Sequence, residues 1–200
     1  MGIIDNPILE NDKFFSLASI GGFIDGWSLV IPKEHTYSMR KFFTDSAFVD
    51  IANKMLKRIR DAYRKKSIIF EHGANHEGSI TACGTNHAHL HIIPYEKSLL
   101  KQMFHDDSVQ WIECKITDVE RIVQKKEYWF YAENVVDIED AKGYIHIIEK
   151  PESQYFRRLL AEKEGYTKEY DYKCNLFLDK GEATYASLVK KYDEERTDSN

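Results

Sequence analysis

Alternation of apolar and polar positions is sharpest at residues 86–94, NHAHLHIIP. There His87, His89 and His91 take every second position, with Ala88, Leu90 and Ile92 in phase against them. An extended strand sends alternate side chains to opposite faces. The spacing therefore predicts a strand over 87–93, ended by Pro94, with three imidazoles on one face, roughly 6.6 Å apart along the strand. The runs FFSLASI (14–20) and WSLVIP (27–32) flank GGFIDG and predict a hairpin, with Pro32 closing its second strand. From Thr44 to Lys66 the period lengthens. Phe48, Ile51, Met55, Ile59 and Ala62 recur at three and four residues, and Thr44, Asp45 and Ser46 offer N-caps, so a helix is expected. SIIFE (67–71) predicts a short strand, and 72–86 a polar loop.

In the second half, 109–115, 128–133 and 143–149 are candidate strands and 116–126 a short helix. A clearer helix is expected over 153–165, introduced by Pro151 and ended by Gly165. A last amphipathic helix with a fraying end is expected over 183–195, its KKYDEER stretch a solvated face. No internal repeat or linker divides the chain.

Two hundred residues suit one domain, or one domain with a sizeable extension. The net charge of −5 disfavours a protein that wraps duplex nucleic acid, but leaves room for a small anion in a local pocket. Cys83, Cys114 and Cys174 are far apart, which argues against a disulfide framework and for a reducing, cytoplasmic setting. The first residues carry no signal-peptide pattern. No apolar run approaches the roughly 18 residues of a membrane span, so no membrane partner is expected.

Five of the eight histidines fall between positions 72 and 91: His72, His76, His87, His89 and His91. Imidazole titrates near neutrality and can act as nucleophile, acid, base or metal ligand. The bland alternative is a histidine-rich surface strand. A zinc site that recruits His72 or His76 is a sharper rival. His35, Lys33, His105 and His146 read as surface or structural groups, and Trp27 as core or pocket wall.

HAHLHII (87–93) resembles the signature of the histidine triad (HIT) family, His-φ-His-φ-His-φ-φ with φ apolar. GWSLVIPKEH (26–35) is similar to that family's upstream Gly-His-apolar-Val-Ile-Pro-Lys-x-His strand, with Trp27 where the family has His. EGS (77–79) followed by Gly84 resembles its phosphate loop. The similarity spans roughly residues 8–100. FEHG (70–73) and SQYFRR (153–158) resemble a bacterial subgroup with a C-terminal extension.

The resemblance implies an α+β fold: a HIT-like antiparallel sheet of about five strands with the 44–66 helix packed on it over residues 1–105, and a C-terminal α/β extension over 106–200 packed on the same domain. It also implies a nucleotide hydrolase or transferase. His89 would attack the α-phosphorus to give a nucleotidyl-histidine that water resolves. His91 would donate to phosphate oxygens and His87 would orient His89. Backbone N–H groups near Gly78 and Gly84 would meet phosphate charge, together with imidazolium. Ser19 falls in the ribose-handle slot, and His76 or His72 in a phosphate-contacting slot. Gln154, with Arg157 or Arg158, would reach the nucleotide from the extension. His at the third triad position favours hydrolysis of a phosphoanhydride or phosphoramidate, with dinucleoside polyphosphates the expected substrates. Nucleotidyl transfer and non-catalytic nucleotide binding are the alternatives. No resident cofactor or metal is implied beyond a divalent cation that the substrate could carry in, and a homodimer is compatible with the family pattern.

Overall fold

The computed structural model describes residues 2–197, with side chains described as far as residue 189. Its strands are β1 (Leu9–Glu10), β2 (Phe14–Ala18), β3 (Ser28–Pro32), β4 (Ser67–Gly73), β5 (Leu90–Pro94), β6 (Ile112–Lys115), β7 (Tyr128–Val135) and β8 (Lys142–Ile147). Its α-helices are α1 (Ser46–Tyr63), α2 (Leu100–Met103), α3 (Val119–Val123), α4 (Tyr155–Lys163) and α5 (Leu178–Thr197). The α+β expectation agrees with this content.

The expected sheet of about five strands is corrected. Among the described residues there is one eight-stranded sheet, ordered β1-β2-β3-β5-β4-β7-β8-β6, with antiparallel neighbours throughout. The reason lies in β4. Ser67 to Glu71 are buried on both faces of the strand, so it is central and needs a partner on each edge. One edge takes β5 and the other takes β7, whose apolar YWFYA run fits a central position. Residues beyond 105 thus extend the sheet itself.

The two faces of the sheet bury different elements. On one, Val30, Ile69, Leu90 and Ile92 meet Phe48, Ile51, Met55 and Ile59 of α1 in a single apolar cluster. Helix α1 starts at Asp45, whose carboxylate accepts the Ala47 N–H at 2.8 Å, and ends at Arg64 in the left-handed region. On the other face, Trp27, Phe70, Ile93, Trp129 and Tyr131 pack under Tyr155, Phe156 and Leu160 of α4. Helix α4 does not roof the whole of that face. Phe15 and Leu17 of β2 and Leu29 and Ile31 of β3 stay half-buried and line a cavity instead.

Two local expectations also change. The histidine strand begins at Leu90, so His87 and His89 precede the regular pairing. Asn86 has a positive φ of 47°, and the Ala88 N–H is donated to Thr36 O at 2.8 Å rather than to a ladder partner. Helix α5 starts at Leu178, five residues before the expected 183, and the side chains of 190–196 lie outside the described residues. No helix among the described residues is long and apolar enough to cross a membrane.

Candidate active site

The uncovered end of the face that carries α4 forms a cavity of about 380 Å³. One wall is apolar, from Phe15, Leu17, Leu29 and Ile31. His72, His87, His89, His91 and Arg157 line it too, with Cys83, Thr85 and Tyr172, and Leu29 lies directly beside His91 on the neighbouring strand. Ser19 lines it as well, and Asp5, from the turn Ile3–Asp5, is the one carboxylate among the described lining residues.

Sheet register places the histidines. His91 on β5 sits opposite Phe70 on β4, and the two rings stack at 4.2 Å. His72 lies two residues further along β4 and so on the same face, its ring 6.3 Å from that of His91. The ring of His89 is 4.7 Å from that of His91. His87 contacts His35 at 5.4 Å instead. The triad therefore shares a cavity but is not a ladder of three equivalent imidazoles.

Hydrogen bonds fix which nitrogens carry protons. A carbonyl only accepts, so His89 Nδ1, 2.9 Å from His87 O, carries a proton and leaves Nε2 a free lone pair. An indole N–H only donates, so His91 Nδ1, 2.9 Å from Trp27 Nε1, is bare and the proton of the neutral ring is on Nε2. His72 Nε2 faces the Phe156 N–H at 3.4 Å, which puts the His72 proton on Nδ1. His87 Nε2 donates to Pro32 O at 2.8 Å. Burial holds His72, His89 and His91 below the usual imidazole range, His72 down to about 3. The imidazolium expected to meet phosphate charge is therefore corrected: these three rings are neutral.

The positive charge comes from Arg157 in the first turn of α4. It is only 3% exposed and, among the described residues, has no carboxylate partner. Its Nε donates to Tyr170 O at 2.8 Å and its Nη2 to Gly21 O, and its guanidinium lies 4.6 Å from the Trp27 ring. Burial lowers its pKa to about 10, which leaves it charged at neutral pH. A buried cation without a counter-ion is costly unless an anion joins it. Arg158, its neighbour, turns outward and pairs with Glu152.

Several expected residues are not brought to the cavity. His76 is exposed, with Nε2 3.8 Å from Glu127 Oε1. Glu127 accepts from Asn75 N at 3.2 Å and Thr81 Oγ1 at 2.7 Å, and so draws the 74–82 stretch toward β7. Of the two candidates for the phosphate-contacting slot, the structure places His72 in the cavity. Gly78 lies outside it, its N–H given to Asn86 Oδ1 at 2.9 Å. Gly84 sits between the lining residues Cys83 and Thr85 but is exposed. Gln154 is buried in the left-handed region. Its side chain is spent on Asp171 Oδ1 at 3.2 Å and the Tyr172 N–H at 3.4 Å, which holds the 170–175 segment. Asp5 and Tyr172 were not foreseen. Neither belongs to a local pattern, since both arrive from irregular segments distant in sequence.

Among the described residues, no group of three or more His, Cys, Asp or Glu side chains is placed to hold one metal ion. The fold and site together define an α+β protein whose sheet end carries a cavity with neutral imidazoles on one side and an unpaired guanidinium beside them. No family model matches the chain, and no curated protein does. Among solved structures, the chain is similar to a Hit-like protein involved in cell-cycle regulation from Bartonella henselae, solved with an unknown ligand. The identity is 23% over 46% of this chain and 70% of that one, with a TM-score of 0.37. It is also similar to a hypothetical histidine triad nucleotide-binding protein from Sulfolobus tokodaii, with 22% identity over 46% of this chain, 61% of the other's length and a TM-score of 0.37.

Proposed function

We propose that the chain is a nucleotide phosphohydrolase of the histidine-triad type, working through a nucleotidyl-His89 intermediate. The observation that carries this reading is the bare Nε2 of His89 in a cavity shared with the unpaired Arg157. A neutral imidazole whose Nδ1–H is held by a carbonyl is a nucleophile at neutral pH without prior deprotonation. In the first step the Nε2 lone pair forms a bond to the α-phosphorus, and the bond to the leaving group breaks with its electron pair. In the second, a water oxygen attacks the same phosphorus and loses its proton to solvent. The N–P bond then breaks and returns the pair to Nε2. Arg157 and the His91 Nε2–H face the phosphate oxygens and meet the charge that grows on them. The apolar wall of Phe15, Leu17, Leu29 and Ile31 suits a nucleobase. The resemblance of HAHLHII and GWSLVIPKEH to the family supports the same assignment, as does His, rather than a weaker donor, at position 91.

Turnover tests it. Diadenosine tetraphosphate, its guanosine counterpart and adenosine 5′-phosphoramidate are mixed with wild type and His89→Asn, and products are separated by chromatography. Nucleoside monophosphate release by wild type and its loss in the variant are expected. Equal rates in the two proteins would remove His89 from the chemistry.

A further inference from the structure

A second cation stands at the edge of the same cavity. Lys173 lies in the irregular segment after α4, over the Cys83–Gly84 turn. A Cβ built on Gly84 would come within 2.9 Å of Lys173 Nζ and 3.8 Å of Tyr172 Oη. The Tyr172 hydroxyl donates to Cys83 O at 2.8 Å, and Cys83, Thr85 and Tyr172 all line the cavity. Lys173 is exposed and, among the described residues, makes no ion pair. The nearby Asp171 feels the Lys173 charge from a distance, but its carboxylate is bonded to Gln154 Nε2, the Lys173 N–H and Cys174 Sγ. Gly84 has φ +87° and no side chain, so Lys173 Nζ rests directly against the turn whose neighbours Cys83 and Thr85 line the cavity.

The same cavity is poor in acids. The Nδ1–H of His89 is held by a carbonyl and the Nε2–H of His87 by another. The second nitrogen of His91 is occupied by the Trp27 indole and that of His72 faces the Phe156 N–H, so neither ring readily takes a second proton. The Tyr172 proton is given to Cys83 O. An amine leaving from phosphorus carries off the electron pair and needs a proton. A phosphate leaves as an anion and needs a cation instead.

We propose that Lys173, together with Arg157, forms a subsite for an anionic leaving group, so that the site cleaves nucleotides joined to a further phosphate in preference to phosphoramidates. This deepens the hydrolase reading and rests on it. The P–O bond of the anhydride breaks with its pair on the departing phosphate, whose charge passes Arg157 and reaches Lys173 over the Gly84 rim.

Two measurements separate the subsite from the reaction. Steady-state kcat/KM is taken for diadenosine tetraphosphate and adenosine 5′-phosphoramidate with wild type, Lys173→Gln and Lys173→Arg. The anhydride-to-phosphoramidate ratio should fall about fivefold in Lys173→Gln, the upper end for one exposed charge pair, and recover in Lys173→Arg. A ratio within about twofold of wild type in Lys173→Gln, a change too small for such a contact, overturns the proposal. Calorimetric affinities for ATP and AMP are taken on His89→Asn with and without Lys173→Gln. The preference for ATP should fall by the same factor, and an unchanged preference overturns the subsite. A wild type that turns over neither substrate, while the ATP preference still falls, keeps the subsite and removes the hydrolase reading.

Discussion

The indole N–H of Trp27 is donated to Nδ1 of His91 across 2.9 Å, inside a packed interior where Phe70 stacks on the same imidazole at 4.2 Å. The bond fixes the tautomer of His91 as well as its orientation, while burial keeps the ring neutral. With Nδ1 engaged by a group that can only donate, the neutral ring presents Nε2–H to the cavity.

Replacing Trp27 with Phe removes that donor and leaves most of the apolar volume. His91 Nδ1 then becomes free to take a proton, so the pKa of His91 rises, although burial still holds it below the ordinary imidazole value. The acid limb of kcat/KM should move to higher pH, and activity at neutral pH should drop roughly tenfold, the order of one lost buried hydrogen bond. A pH–rate profile of the two proteins, with an NMR titration of the His91 ring, checks this. Coincident acid limbs would mean that the indole contributes packing alone.

Arg157 gives a second test. Arg157→Met keeps much of the side-chain volume but loses the charge and the bonds to Tyr170 O and Gly21 O. The loss in kcat/KM should be on the order of 10²–10³, as for removal of a main charge-stabilising donor. Arg158→Met, which breaks only the outward pair with Glu152, should stay within about twofold, since exposed pairs contribute little.

A third prediction concerns stability. Glu71 is buried beneath the sheet, where its carboxyl group accepts from Met39 N and the Tyr128 hydroxyl. Burial raises its pKa from 4.5 to about 7. The folded chain therefore binds this proton more tightly than the unfolded chain. The associated stability is fully present below about pH 4.5 and is lost as pH rises toward 7. Glu71→Gln should flatten this part of the curve. Thermal melts from pH 4.5 to 8 measure it, with the difference between variant and wild type shifting in favour of the variant as pH rises. A constant difference would contradict the assignment. His72 has the opposite sign: its pKa falls to about 3, so it weakens the fold as pH drops below 6.5, which sets the background slope.

Much of the site was legible in the sequence because its signals are local. The period-2 pattern fixes the face of His91 and the VIP strand that of its neighbours, and α1 declares itself through its 3.6-residue stripe and Asp45 cap, whereas His87 and His89 precede the regular pairing. What was not legible depends on remote partners. The choice between His72 and His76 turns on Glu127, which tethers the 74–82 stretch from the start of β7. The choice between Arg157 and Arg158 turns on the phase of α4, set by Gln154 entering the helix from the left-handed region. Trp27 reads as core, and its volume does bury, but its one polar atom finds His91 only because β3 and β5 are neighbours in the sheet. The eight-stranded sheet was missed for a similar reason, since nothing local to SIIFE says which strand occupies its second edge.

The mechanism stands on a bond from His89 Nε2 to phosphorus. Intact-protein mass spectrometry, after rapid mixing with diadenosine tetraphosphate and a mildly alkaline quench, observes that bond directly. A transient gain of one adenylyl group is expected on wild type, absent from His89→Asn, with AMP and ATP as final products. Turnover of the same substrate with no adduct at any mixing time, or an adduct that persists in His89→Asn, would contradict it.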